Sequence, residues 1–296
     1  IHRADLQSAL LEKVQALGVD VQCDSPVHKL PTDLHKTAEA LVIADGVWSN
    51  LRQQLLGDGP PRMTGHLAYR SLVAQAELPA HLRTQDVSVW MGPKVHVVQY
   101  PVRGGEWLNV VMFTQGQVPD DYQGWDHAGL RDNVLKATAG HCAELTALVE
   151  AVPAWRLWAL CDRPPVASAA QMACGRVALL GDAAHPMPPY LAQGAGMAIE
   201  DAAVIAKCLH QTENPTAAFL QYEKLRKKRT AMIQQLSRRN AKVFHLKGIA
   251  AWARNRAAKR AGGSTMNKLY GYDALSVVIN SKKAGQKVKE QSKEDQ

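Results

Sequence analysis

The stretch VALLGDAAHPMPPYLAQGAGMAIEDA, residues 177–202, limits what this chain can fold into more than any other. An apolar run ends at Gly181-Asp182, a proline-rich loop follows, and a helix restarts on Gly194-Ala195-Gly196-Met197. In open α/β sheets, ligands sit outside the carboxyl ends of the strands, which is where Asp182 falls. A carboxylate there accepts hydrogen bonds from hydroxyl groups. The helix mouth directs backbone N–H groups and a partial positive charge into the same space. Gly194 and Gly196 carry no side chain, so a ligand can approach the backbone closely. Gly-Asp alone reads as an ordinary turn with an acidic cap. The whole segment reads as a site for an anionic, hydroxyl-bearing ligand.

A second strand end repeats the layout. EALVIADG runs apolar to Asp45-Gly46, and WSNLRQQLLG then reads as a short helix. Ser49 and Arg52, three apart, share a face of that helix. This set can organise a dinucleotide pyrophosphate or a passing nicotinamide, and it reads equally well as a capped helix with a local ion pair.

Strand, turn and helix in that order are the grammar of an α/β layer. The chain opens with ADLQSALLEKVQALG, where Leu6, Leu10, Val14 and Leu17 recur at helical spacing and Gly18 closes the run. VDVQC follows as a short strand. Between residues 65 and 115 the pattern changes to HLAYRSLVAQAEL, DVSVWMG, VHVVQYPV and WLNVVMF, separated by turns such as GPK and RGG. These runs predict an antiparallel sheet in a second domain. Residues 127–150 return to helix, RVALLGD is a strand of the first kind, and GAGMAIEDAAVIAKCLHQ begins a helical remainder. The boundaries expected are 1–62, 63–160, 161–215 and 216–296. On the strand VHVVQY, His96 and Tyr100 point to the same face. By spacing alone they read as a packed core pair.

Composition removes several function classes. No apolar run approaches the roughly 18 residues that cross a bilayer, and no basic-then-apolar leader signals export. The five cysteines, Cys23, Cys142, Cys161, Cys174 and Cys208, are odd in number and scattered. They imply free thiols in a reducing, cytoplasmic setting, and neither a zinc site nor a disulfide framework. The net charge of +8 divides unevenly: residues 222–296 carry 19 Lys/Arg against 5 Asp/Glu. Without a nucleic-acid module, those charges read as a solvated helix face and no nucleic-acid partner is expected. SKKAGQKVKEQSKEDQ reads as a frayed end.

Together Asp45-Gly46 with Ser49 and Arg52, GDAAHP at 181–186, HRADL at 2–6, YPVRGGEWLNVV at 100–111 and LYGYDAL at 269–275 resemble the FAD-dependent aromatic-ring hydroxylases, the class A flavin monooxygenases. The resemblance covers nearly the whole chain. It implies a Rossmann-like FAD-binding domain of the α/β (α+β) class, an inserted antiparallel-sheet substrate domain and a helical C-terminus. It also implies roles. Gly181 and Asp182 would meet the FAD ribityl chain, and Gly194, Ala195, Gly196 and Met197 would offer backbone N–H groups to the isoalloxazine. Arg3 would reach the phosphate side, and Asp45 would belong to a fingerprint shared by FAD and NADH or NADPH. His96 and Tyr100 would bind the substrate and remove its phenolic proton. The partners implied are a small aromatic acid, NAD(P)H and O2, with a homodimer left open.

One departure stands out. The Gly-x-Gly-x-x-Gly unit that places the ADP pyrophosphate on a helix N-terminus does not occur, since GAGMAI lacks its third glycine. The FAD-binding domain is therefore expected to lack its first βαβ unit, and the chain alone to hold FAD weakly and to be inactive, with the hydroxylase activity expected of an intact enzyme that carries that unit. The alternative reading is an inactive flavoprotein remnant or a partner-binding protein.

Overall fold

The structure, a computed structural model, describes residues 1–124, 126–258, 267 and 269–277. In chain order the elements begin with α1 (Arg3–Ala16), α2 (Leu34–Thr37), β1 (Leu41–Ile43), α3 (Asn50–Leu56) and β2 (Arg62–Ala74). Strands β3 (Ser88–Gly92), β4 (Val95–Val102), β5 (Trp107–Gln115) and β6 (His127–Gly129) follow, then α4 (Arg131–Thr138), α5 (Ala143–Ala151) and β7 (Trp155–Asp162). The last are β8 (Ala173–Cys174), β9 (Val177–Leu179), α6 (Gly194–Gln211), α7 (Pro215–Phe244) and α8 (Gly248–Ala258). The chain divides into two compact units.

The sheet unit comprises Ile1–Val27, Thr64–Leu160 and Phe244–Ala251. Its six strands run in the order β3-β4-β5-β2-β7-β6. Antiparallel pairing carries β4 against β5 from Val95↔Thr114 to Val102↔Trp107, and β5 against β2 from Trp107↔Ala74 to Gln115↔His66. The antiparallel sheet is thus as the alternating runs foretold. Val97, Val110 and Met112 are fully buried and belong to its core. Two of its strands were not read from the sequence. HAG at 127–129 lies in the stretch read as helix, and WRLWALCD was not recognised; the two pair through Gly129↔Trp155. Three residues are too few to set up a period. Helix α1 forms where the leucine spacing places it, yet none of its residues is buried in the described structure.

VDVQC is not a strand: residues 19–22 carry no regular structure and Cys23 lies in a turn. Alternation alone cannot sustain a strand, and no described strand pairs with this segment.

The second unit comprises His28–Met63, Cys161–Val243 and the described residues from Trp252 onward. Its sheet is β1-β9-β8, with β1 and β9 parallel and β8 antiparallel to β9. Helices α6 and α7 bury Val204, Ile205, Cys208, Phe219 and Tyr222 with Met172 and Ala178 beside the sheet. Burying one such large side chain contributes about 1.5–3 kcal/mol. The tail SKKAGQKVKEQSKEDQ lies outside the described residues. No helix among the described residues is long and apolar enough to cross a membrane.

Candidate functional site

The two Asp-bearing turns leave the parallel sheet side by side. Ile43 pairs with Leu179, so Asp45-Gly46 and Gly181-Asp182 follow neighbouring strands off the same edge. Gly181 has a φ of 60°, and a Cβ there would stand 3.1 Å from Ala198 Cβ. The left-handed φ favours glycine, and a side chain there would also press on Ala198. Asp45 and Asp182 are exposed.

Beneath the turns the chain is heavily tied. The Ser49 hydroxyl accepts from the backbone N–H of Arg52 at 3.0 Å and caps α3. The Arg52 side chain, 4% exposed, donates through Nη1 to the carbonyls of Ala183 (2.8 Å) and Ala184, and through Nε and Nη2 to Asp58 Oδ2. Its donors are committed to the protein, so the capped helix with an ion pair is the reading the geometry favours. Arg52 thereby joins the two turns across 131 residues of sequence.

A second tie is ionic and buried. Asp201 Oδ2 lies 2.6 Å from His185 Nε2 and accepts from the backbone N–H of Gly181 at 3.0 Å. Its Oδ1 accepts from Arg226 Nε at 2.6 Å, and Arg226 Nη1 also donates to Glu200. Burial pushes the Asp201 carboxyl up, but His185 and Arg226 outweigh it and hold it below the usual carboxylate range. A third tie comes from α7. Gln234, Ser237 and Asn240, spaced three apart on one face, donate to the carbonyls of Pro186, Pro188 and Tyr190. A proline-rich loop has no ladder to satisfy those carbonyls, and the helix supplies the donors instead.

Above these ties opens the mouth of α6. Gln193 makes no side-chain cap, and the first-turn N–H groups of Gly194, Ala195 and Gly196 have no intrahelical acceptor. The N–H of Met197 donates to Gln193 O at 2.8 Å, and its side chain is core, packed with Ile233 and Leu269. A Cβ on Gly194 would come no closer than 3.9 Å to Asp182 Oδ1, and one on Gly196 no closer than 3.8 Å to Gln193 Oε1. Among the described residues nothing crowds a Cβ at either glycine, and the Asp182 carboxylate is the atom group nearest to Gly194. An acceptor edge facing the N–H groups and a hydroxyl chain facing Asp182 suit this donor set, which is what a flavin with its ribityl chain presents.

In the sheet unit, His96 and Tyr100 lie on one face of β4, opposite Phe113 and Asn109 respectively. Tyr100 is half-buried, whereas His96 is 1% exposed. The His96 ring stacks on Phe113 at 4.7 Å, meets Phe244 edge-on at 5.1 Å, and its Nδ1 lies 2.9 Å from His245 Nε2. Burial first, then the charges of His245 and His66, push His96 down to about 3, so its imidazole is neutral near pH 7. Asn109 Oδ1 accepts from Arg70 Nε at 2.8 Å. Arg3 is an exposed residue at the start of α1 in this unit.

The structure thus brings together Asp45, Gly181, Asp182 and the α6 mouth in one unit, and His96 with Tyr100 in the other. Sequence reasoning missed Asp201, Arg226, Glu200 and His245, and gave His185 no role. An acid within IEDAA leaves no mark of being buried, and His245 sits 149 residues from the strand it meets. No cluster of three or more His, Cys, Asp or Glu that could hold a metal occurs among the described residues.

Known proteins agree with this architecture. Residues 12–240 match the model of the FAD binding domain family. The chain is 36% identical over 295 residues to 3-hydroxybenzoate 6-hydroxylase 1 of Aquipseudomonas alcaligenes, covering 93% of this chain and 73% of that protein. It is also 36% identical over 258 residues to a 3-amino-4-hydroxybenzoate 2-monooxygenase of Streptomyces platensis, covering 83% and 63%. A salicylate hydroxylase substrate complex superposes with a TM-score of 0.76 at 27% identity, over 95% of this chain and 76% of that one. The family match and the level of identity together assign the chain: it belongs to the FAD-dependent aromatic-ring monooxygenases.

Proposed function

We propose that this chain hydroxylates the ring of a phenolic or hydroxypyridine-type aromatic acid, of the hydroxybenzoate class, using FAD, NAD(P)H and O2. The observation that carries the substrate class is the 36% identity, over nearly the whole chain, to a protein named for 3-hydroxybenzoate. When bound, FAD supplies the redox chemistry that joins reductant, oxygen and ring.

The protein's part is placement and proton handling. Asp182 accepts from the ribityl hydroxyls. Gly181 lets its turn adopt the left-handed backbone that aims that carboxylate. Gly194, Ala195 and Gly196 offer their N–H groups to the acceptor edge of the ring, and Met197 supports the mouth from within the core. Asp45 serves the nucleotide side, and Arg3 the phosphates. Tyr100 binds the phenol and relays its proton, while His96, kept neutral by burial, assists as a hydrogen-bond partner for the substrate and does not hold the proton itself. Ionising the phenol makes the ring a stronger nucleophile.

The test is a panel of 3-hydroxybenzoate, salicylate, 3-amino-4-hydroxybenzoate, 6-hydroxynicotinate and benzoate, read as NAD(P)H consumption with FAD in excess. Stimulation by a hydroxylated acid and not by benzoate is expected. Equal rates across the panel would remove the phenol-handling role.

A further inference from the structure

The two faces of the six-stranded sheet differ. Tyr69, Val73, Val97, Leu108, Val110 and Met112 turn one way, and all are buried. Alternate residues turn the other way, and cross-strand partners point together. On that second face Tyr100 stands opposite Asn109, and Asn109 opposite Leu72. In the next row Val98 stands opposite Val111, and Val111 opposite Arg70. Arg70, Leu72, Val98 and Tyr100 are only half-buried. The face therefore keeps an accessible, largely apolar floor with one arginine set in it.

That arginine lacks a counter-charge. Strands β2 to β5 contain no Asp or Glu at all, and among the described residues Arg70 makes no ion pair. Its side-chain hydrogen bond runs from Nε to Asn109 Oδ1 at 2.8 Å. Asn109 is 1% exposed, and its Nδ2 has no hydrogen-bond partner among the described residues. Donors withdrawn from water without acceptors are kept where something else satisfies them. Asn109 grips the Nε edge and leaves the two Nη nitrogens, whose N–H groups form a planar fork that matches a carboxylate. Arg70 and Tyr100 lie two strands apart, about 9.5 Å at the backbone. The bond to Asn109, the cross-strand partner of Tyr100, draws the guanidinium back toward Tyr100. We propose that Arg70 is the residue that reads the substrate's carboxylate: its Nη fork takes the acid group of an aromatic acid whose ring lies on the apolar floor, and Asn109 holds the fork in place. The proposal rests on the reading that Tyr100 meets the phenol of the same molecule. A neutral analogue would leave the guanidinium unpaired beneath it, so the site selects for charge as well as shape.

Calorimetric titration of the full chain, with FAD in excess, compares 3-hydroxybenzoate with 3-hydroxybenzamide, which keeps the ring and the phenol and replaces the carboxylate by a neutral amide. The wild type is expected to bind the acid about 10–100-fold more tightly than the amide. Arg70→Gln should lose that margin on the acid and leave the affinity for the amide unchanged. Arg70→Lys, which keeps the charge without the fork, should recover only part of it. Asn109→Asp supplies Arg70 with an internal carboxylate and should weaken the acid but not the amide. Retained amide binding shows that each variant is folded. A wild type that binds both ligands alike, or an Arg70→Gln that weakens both equally or neither, overturns the proposal. Turnover separates the two readings. If the preference for the acid follows Arg70 while Tyr100→Phe hydroxylates 3-hydroxybenzoate at the wild-type rate, the carboxylate site stands and the role of Tyr100 falls.

Discussion

Asp201 Oδ2 is shared by the His185 ring at 2.6 Å and the backbone N–H of Gly181 at 3.0 Å, so a helix carboxylate holds both ends of the turn that presents Asp182. Removing its charge leaves Arg226 buried with one acidic partner fewer. Asp201→Asn is expected to cost about 3–5 kcal/mol, the usual result of breaking a buried pair. Urea unfolding measures it, and a loss below about 1 kcal/mol would show that the network is not a structural support.

The same carboxyl dictates a pH dependence. Its folded pKa lies below the ordinary 3.8, so its contribution is fully present above that value. The contribution is lost as pH falls through the lower, folded value. Unfolding free energy of the wild type should therefore fall below about pH 4, and more steeply than that of Asp201→Asn, whose side chain does not titrate. Parallel curves would contradict the sign.

Two glycines of the loop should respond differently. Gly181→Ala forces a left-handed residue against Ala198, and is expected to cost about 1–2 kcal/mol or more and to displace Asp182. Gly194→Ala meets nothing closer than 3.9 Å and should fold as well as the wild type. It should nevertheless weaken FAD, because a methyl group occupies the approach to the helix mouth. Flavin fluorescence titration of the two variants checks this; unchanged affinity in Gly194→Ala would move the flavin elsewhere.

Arg52→Met removes donors to two loop carbonyls and to Asp58 together. A loss of at least about 1.5–3 kcal/mol is expected, with faster amide exchange at Ala183 and Ala184. Normal exchange there would mean that the loop does not depend on α3.

Tyr100→Phe in the flavin-loaded enzyme should lower hydroxylation by about 10²–10⁴-fold, the range for a lost proton-transfer group, while leaving FAD bound. An unchanged rate would take Tyr100 out of the chemistry.

The parts of the site that obey a period or a steric rule were legible in the sequence. Alternation marked β2 to β5, and glycines where a strand becomes a helix marked the α6 mouth to the residue. The parts that depend on long-range partners were not. Asp201, Arg226 and Gln234 sit in helices where a polar residue reads as solvated, and only the fold shows that they are buried. His96 is a similar case: its strand was legible, but its neighbour His245 lies beyond the end of a 30-residue helix. VDVQC shows the converse, an alternation with no partner strand among the described residues.

Isotopic oxygen tests the central claim most directly. The full chain, supplied with excess FAD, NAD(P)H, 3-hydroxybenzoate and 18O2, should yield a dihydroxybenzoate carrying one 18O atom, formed in step with NAD(P)H oxidised. Reductant consumed with all the oxygen recovered as peroxide, or product oxygen drawn from water, would contradict it.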